Sequence, residues 1–235
     1  MAANEGRVPL AAMTSWTEVS SLATGAGTLV LAVATFASVR SANRAARVAE
    51  QALMVNMRPL LVPSRVDDSP QKIFFQEGRH MILEGGRGGA EFENGVVYLG
   101  ISIRNAGPGI AVLHGWRFLT GVQINPPRPE LETFRHQGRD ILIAPGDMGF
   151  WQGAFRDSGD PQFDEAVTVI KSDDDEVVLG IDLLYGDNDG GQRVISRMLL
   201  RGYHRKDDKP GRQWIASVVR HWNVDRPDPR ESVAG

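Results

Sequence analysis

Twenty-one consecutive residues, Val19 to Val39, carry no charge: VSSLATGAGTLVLAVATFASV. A helix of that length is roughly 30 Å long at about 1.5 Å per residue, which matches the hydrocarbon core of a bilayer. Glu18 and Arg40 close the stretch, and Trp16 stands where an interfacial aromatic belongs. Its apolarity is moderate because much of it is Ala, Gly, Ser and Thr. The pattern predicts one transmembrane helix over 19–39. Two other readings compete with it. A buried core helix is usually shorter and rarely uncharged all round. A cleaved signal peptide would use Ala32-Val33-Ala34 as its small-residue site, yet the leader carries Glu5, Arg7 and Glu18 and is not basic.

The same flanks set the orientation. Arg40, Arg44, Arg47 and Arg58 follow the span, and only Arg7 precedes it, so the C-terminal domain is expected on the cytoplasmic side of the cell membrane. Ala23 and Gly27 form a small-xxx-small pair that would let two spans pack, although in so small-residue-rich a segment the match has little specificity. Residues 40–58, Ala-rich and built of good helix formers, predict a helical stalk continuing from the span, with Arg40, Arg44 and Arg47 on one face. Pro59 ends it, because proline disfavours helical geometry in the residue before it and donates no hydrogen bond. The leader 1–18 and the polar tail 224–235, with its Asp-Arg-Pro-Asp-Pro start at 225–229, are expected to be disordered.

Beyond residue 59 the period changes from 3.6 to 2. Val97, Leu99, Ile101 and Ile103 alternate with Tyr98, Ser102 and Arg104, and Val177, Leu179, Ile181, Leu183 and Tyr185 repeat the pattern. Leu60-Leu61-Val62 reads as a first strand. Shorter apolar runs at 72–75, 80–84, 110–119, 140–144, 148–155, 193–200 and 213–221 are separated by Gly, Pro, Asn and Asp. Many short strands punctuated by turn residues predict a mainly β domain over 59–223, an antiparallel β-sandwich or else a barrel, with one short helix near 161–170. Asp187-Asn188-Asp189-Gly190-Gly191 reads as a hairpin loop and Asn105-Ala106-Gly107-Pro108-Gly109 as a tight connection.

The order of membrane helix, Ala-rich stalk, Arg58-Pro59-Leu60-Leu61-Val62 and Arg104-Asn105-Ala106-Gly107-Pro108-Gly109-Ile110-Ala111 resembles a broad group of uncharacterised bacterial single-pass membrane proteins with an Ig-like β-sandwich. The resemblance covers about residues 15–120 and rests on turn and boundary chemistry. It implies an anchor and a fold, and no activity.

Several classes of chemistry lack their residues. There is no cysteine, so disulfides, thiolate catalysis and thiolate metal sites are excluded. Residues 59–235 hold 21 Lys and Arg against 26 Asp and Glu, an acidic balance that gives no reason to expect nucleic acid as a partner. His80, His114, His136, His204 and His221 show no i, i+2 or i, i+4 pair. Asp173-Asp174-Asp175-Glu176 and the 187–190 turn invite a calcium reading, but Tyr185 stands where an EF-hand needs an oxygen ligand. Gly85-Gly86-Arg87-Gly88-Gly89 lacks the Lys-Ser/Thr ending of a phosphate loop and reads as a flexible hairpin tip. No Gly-x-Ser-x-Gly occurs. Trp116, Trp151, Trp214 and Trp222 are expected in the core, the alternative being an aromatic surface platform. Arg193, Arg197 and Arg201 alternate with Ile195 and Leu199; they suit an edge strand guarded by charge, or else a face turned to an acidic partner or the anionic leaflet.

No catalytic, cofactor-binding or metal-binding residue is therefore assigned, and no cofactor is expected. The expected partners are the lipid bilayer and a protein or a second copy of the chain. The function expected is a non-enzymatic binding or scaffolding module at the inner membrane face. The alternative is a membrane-tethered enzyme whose site joins distant loops, with His114, Asp140 and His204 as its candidate members.

Overall fold

The structure, a computed structural model, describes residues 11–121, 126–204, 211–228 and 230; side chains of the first helix are described for 19–50, 52 and 53. The chain divides between Leu53 and Met54 into two compact units.

Helix α1, Ala11–Asn56, is 46 residues long, about 70 Å from end to end. It begins inside the leader that was expected to be disordered. Once a helix is nucleated each added residue costs little, and Ala11, Ala12 and Met13 favour it; residues 1–10 lie outside the described ones. From Val19 to Glu50 every side chain is exposed, and none of the apolar window is buried among the described residues. Thr24, Thr28 and Thr35 donate their hydroxyls at 2.8 Å to the carbonyls of Ser20, Thr24 and Leu31, four residues back. Those polar groups are thereby satisfied within the helix.

The second unit is mainly antiparallel β. Its elements are β1 (Leu61–Pro63), β2 (Gln71–Phe74), β3 (His80–Leu83), β4 (Arg87–Glu93), β5 (Val96–Asn105), β6 (Ala111–Thr120), β7 (Arg135–His136), β8 (Leu142–Ile143) and β9 (Met148–Phe155), then helix α2 (Phe163–Lys171), β10 (Glu176–Gly186), β11 (Val194–His204) and β12 (Arg212–Asn223). Ten strands form one sheet and β2–β3 a separate hairpin. Strand β5 is flanked by β9 on one side and by β4 and then β1, end to end, on the other. From β12 the order runs through β11 and β10 to β6, whose outer edge takes β7 and β8.

Only Gly88–Trp214 and Arg87–Ile215 join β4 to β12. The sheet doubles back across this narrow junction. Trp116 on β6 meets Trp151 and Phe155 on β9 edge to face at 5.4 and 5.3 Å, and Phe118 meets Phe155 at 5.4 Å, although β6 and β9 lie far apart along the strand order. Such pairs add about 0.5–1.5 kcal/mol each beyond the area they bury. The inward rows of β5 and β10 fill the same core, and α2 closes it with Phe163 and Ala166. Asp164 and Glu165 in the first turn of α2 and Lys171 in its last complement the helix dipole.

Strand β5 is buried on both faces. The hairpin β2–β3 lies over its second face, where Ile73, Phe75, Met81 and Leu83 enclose Tyr98. A Cβ on Gly100 would stand 2.8 Å from the Cδ1 methyl of Ile73, so the hairpin's side chains would have to give way to it. The glycines expected at a flexible tip are placed differently: Gly88 and Gly89 belong to β4, where a Cβ would meet Leu200 at 2.4 Å and Met81 at 2.2 Å. Their smallness serves packing. The Asn105–Gly109 connection and the Asp187–Gly191 hairpin stand where the turn chemistry put them.

One further expectation is corrected. Strand β11 is internal, between β10 and β12, so its arginines do not guard an edge. The tail also packs as far as it is described. Val224 donates to the Arg193 carbonyl, Asp225 pairs with Arg193, and Arg230 bonds Asp228 and the His221 carbonyl. Residue 229 and residues 231–235 lie outside the described ones.

Candidate functional site: an arginine and glutamine cleft

The three residues weighed as a composite catalytic site do not converge. His114 sits at the bulge where β6 passes Leu184 and Tyr185, near Asp140, Asp187 and Arg193. His204 ends β11, ten residues beyond Val194, the partner of Tyr185; at about 3.3 Å per residue that is roughly 30 Å away. Its imidazole lies 3.3 Å from the Asp173 carbonyl. No group of three or more His, Asp or Glu side chains able to hold a metal occurs among the described residues. The acidic turn uses its oxygens internally, since Asp187 Oδ1 accepts the N–H groups of Asp189 and Gly191 at 3.2 and 2.8 Å.

A buried relay that spacing does not reveal joins β1, β10, β11 and β12. Leu61 N–H donates to the Tyr185 oxygen at 3.0 Å, that hydroxyl lies 2.7 Å from Ser196 Oγ, and Ser196 Oγ lies 2.6 Å from His221 Nδ1. Burial pushes the Tyr185 hydroxyl up to about 12, so it keeps its proton. With its oxygen accepting from Leu61, it gives that proton to Ser196, and Ser196 gives its own to Nδ1. The order requires a neutral His221 protonated on Nε2. The serine–histidine distance suits a nucleophile and its base, but Ser196 is fully buried and its oxygen is already engaged by Tyr185. The relay is a structural tie.

Burial lowers the pKa of His221, helped by Arg230; burial also lowers that of His114, helped by Arg193 and opposed by Asp187 and Asp140. The folded protein takes up these protons less readily than the unfolded chain. Their contribution to stability is complete above the unfolded imidazole value, about 6.5, and is lost as pH falls through that value toward the lowered ones. Urea midpoints are expected to drop between pH 7.5 and pH 5.5, and His221→Gln to narrow the drop. Equal midpoints at the two pH values would refute the assignment.

A second polar cluster lies on the sheet face opposite the core. Asp182 is fully buried and takes Arg197 Nε and Nη2 at 2.7 and 2.8 Å and Arg117 Nε and Nη2 at 3.1 and 2.8 Å. The register pairs Asp182 with both arginines directly. Arg197 and Arg220 lie over the Trp222 ring, at 5.2 and 5.5 Å, so this tryptophan is buried beneath guanidinium groups and outside the main core.

Three clefts among the described residues are large enough for a ligand; the smallest, of 420 Å³, lies along the end of β12 and is lined by Asp228 and Arg230, which pair with each other, and two larger ones remain. One, of 590 Å³, lies beside β4 and mixes the carboxylates of Glu84, Glu91 and Glu93 with its cations. Arg79 pairs with Glu91 and Glu93, Arg212 with the carbonyls of Ser172 and Asp174, and Lys171 stands 4.1 Å above Phe92.

The other, of 470 Å³, is built by the end of β2 and Phe75-Gln76, by β7 and the residues up to Arg139, and by β9 up to Arg156. Glycines let the walls approach: a Cβ on Gly115 would meet the Arg135 carbonyl at 2.7 Å, and one on Gly153 the Trp151 ring at the same distance. Arg135 lies over Trp116 and Phe155 at 5.5 and 4.8 Å and is clamped by Asp160 and by Gln162 Oε1 at 2.9 Å. That bond to Arg135 holds the Asp160 carboxyl below its usual value. Arg156 pairs with Glu77, and Arg139 stands 5.4 Å over Phe150. The lining contains three arginines, His136, Gln76, Gln137 and Gln152 beside Phe74, Phe75 and Trp116, and among the described residues no carboxylate lines it. Gln137 donates Nε2–H to the Gln152 carbonyl at 3.2 Å, and its own Oε1, like that of Gln152, has no partner among the described residues.

No protein family, curated protein or solved structure matches this chain.

Proposed function

We propose that this chain is a single-pass protein of the cell membrane whose C-terminal part, a β-sandwich facing the cytoplasm, is a non-enzymatic binding module. The observation that carries the reading is the uncovered apolar helix: Leu22, Val30, Leu31 and Phe36 are exposed by 75, 68, 70 and 68 %. Apolar surface on that scale, left in water, costs about 25 cal/mol per Å², and a bilayer removes the cost. The back-bonded threonines fit the same solvent, which offers hydroxyls no partner. Seventeen helical residues, Arg40–Asn56, follow the span; they add about 25 Å of stalk, and their arginines can reach the phosphate layer at its near end. The inward meeting of β6 and β9 across one core supports a sandwich. The excess of arginine after the span supports the cytoplasmic orientation. A protein partner or a second copy is the expected target, and the resemblance to anchored bacterial proteins implies the same arrangement.

Two measurements test this. The full chain is expected to stay in the membrane pellet through alkaline carbonate washing and to leave it only with detergent; recovery in the supernatant would end the proposal. Since the chain has no cysteine, Asp175→Cys at an exposed position gives a single thiol. A membrane-impermeant maleimide is expected to label it only after the cells are broken. Labelling in intact cells would reverse the orientation.

A further inference from the structure

We infer that the cleft between β7, β9 and the end of β2 binds a short acidic peptide segment of a partner protein. This rests on the binding-module reading and names what the module holds.

Three features of the lining select the ligand. The first is charge. The domain is acidic as a whole, yet this cleft gathers Arg135, His136, Arg139 and Arg156 with no carboxylate among its described lining residues. Arg135 is consumed by Asp160 and Gln162 and Arg156 by Glu77, so both serve as fixed walls. Arg139 is exposed and has neither an ion pair nor a hydrogen bond among the described residues, and its planar group is steadied only by Phe150. A guanidinium held in this way is matched by a carboxylate, which it can grip with two parallel N–H donors.

The second feature separates a peptide from a phosphate. A phosphate calls only for donors, and glutamine oxygens repel it. A peptide backbone presents N–H and C=O alternately, and a glutamine amide answers both. Gln137 Oε1 and Gln152 Oε1 are buried acceptors without partners, a state that costs about 1–3 kcal/mol for each. The Gln137 assignment is fixed, because exchanging its oxygen and nitrogen would set oxygen against the Gln152 carbonyl. Rotation about the terminal torsion of Gln152, which is broad for glutamine, turns its oxygen toward a backbone N–H entering the cleft.

The third feature is the floor. Phe74, exposed by 56 %, offers an apolar surface beside the arginines, so a segment that alternates acidic and apolar side chains fits better than a purely acidic one. The volume of 470 Å³ falls within the range of about 300–1,000 Å³ typical of ligand pockets. It admits a few residues of extended chain.

The test uses the full chain in detergent micelles and the tryptophan-free peptide acetyl-Glu-Leu-Asp-Leu-Glu-amide, with tryptophan fluorescence as the readout because Trp116 lines the cleft. Saturable binding is expected. Arg139→Glu is expected to weaken it at least about tenfold without changing the far-ultraviolet circular dichroism, and the Gln-Leu-Asn-Leu-Gln analogue is expected to fail likewise. The inference is overturned if the acidic peptide does not bind at millimolar concentration, if Arg139→Glu binds equally well, or if inorganic phosphate displaces the peptide at equal concentration. The last result would mark a general anion site. A chain that sediments with membranes but ignores the peptide keeps its anchor and loses this ligand. One that binds the peptide but stays in the supernatant keeps the cleft and loses the tether.

Discussion

Asp182→Ala is expected to destabilise the second unit by about 3–5 kcal/mol, the usual cost of removing one partner from a buried ion pair. Asp182 is completely enclosed, and Arg197 has only 5 % of its side chain exposed. Arg197 gives two of its donors to Asp182. Without the carboxylate its charge would remain buried over Trp222 with no counter-ion among the described residues. Arg117, with 21 % of its side chain exposed, can turn to solvent and so suffers less. The cost therefore arises from the stranded Arg197 more than from lost attraction, which makes a second measurement decisive. Asp182→Leu combined with Arg197→Met is expected to recover most of the loss, because apolar residues of similar size replace buried ion pairs at little cost. Urea unfolding of the three proteins checks this. A midpoint for Asp182→Ala within error of the native protein would show that the cluster is not holding β6, β10 and β11 together.

Asn105→Ala is expected to cost about 3 kcal/mol or more, since it removes four hydrogen bonds to buried and half-buried backbone groups. Asn105 Oδ1 accepts from Leu60 N–H at 3.1 Å and from Gly107 N–H at 3.0 Å. Its Nδ2 donates to the carbonyls of Gly109 and Ile143 at 2.6 and 3.0 Å. One side chain thus ties the entry into β1, the β5–β6 turn and the end of β8. The turn closes tightly around the entering chain, because a Cβ on Gly109 would stand 1.8 Å from the Met57 carbonyl. Asn105→Asp separates donor loss from shape loss. It keeps the size and both acceptors but points a carboxylate oxygen at two carbonyls, so near neutral pH it is expected to be about as damaging as alanine. Protonation restores one donor, and the Asn105→Asp protein is expected to approach the native one as pH falls. If Asn105→Asp matches the native midpoint at pH 7.5, the two donated bonds carry no weight.

How far these sites were legible in the sequence differs from residue to residue. Asn105 could be placed in a turn because Asn-Ala-Gly-Pro-Gly is turn chemistry wherever it occurs, but its four partners come from segments up to 45 residues away and leave no mark on local spacing. Arg197 was visible as one of an alternating trio. Whether that trio guarded an edge or filled an interior depended on which strands flank β11, a matter of long-range pairing. The Ser196–His221 contact spans 25 residues and has no motif at all. The cleft combines β2, β7 and β9, whose residues carry no shared pattern, so neither its arginines nor its glutamines stood out from ordinary surface residues.

Local chemistry alone set the long apolar helix and its end before Pro59, the change to a period of two, the two named turns and a short helix within two residues of its place. Each follows from propensity, periodicity or steric restriction over a few neighbouring residues. Tertiary structure decided that β5 is buried on both faces, that Gly88 and Gly89 serve packing, and that the tail as far as Asp228 is held by Arg193 and Arg230. It also brought a lone arginine and two unpaired glutamine oxygens to one cleft. Those outcomes depend on which distant strands meet, and hydrogen-bonded pairing across a sheet is fixed by total burial and register rather than by any short stretch of chain.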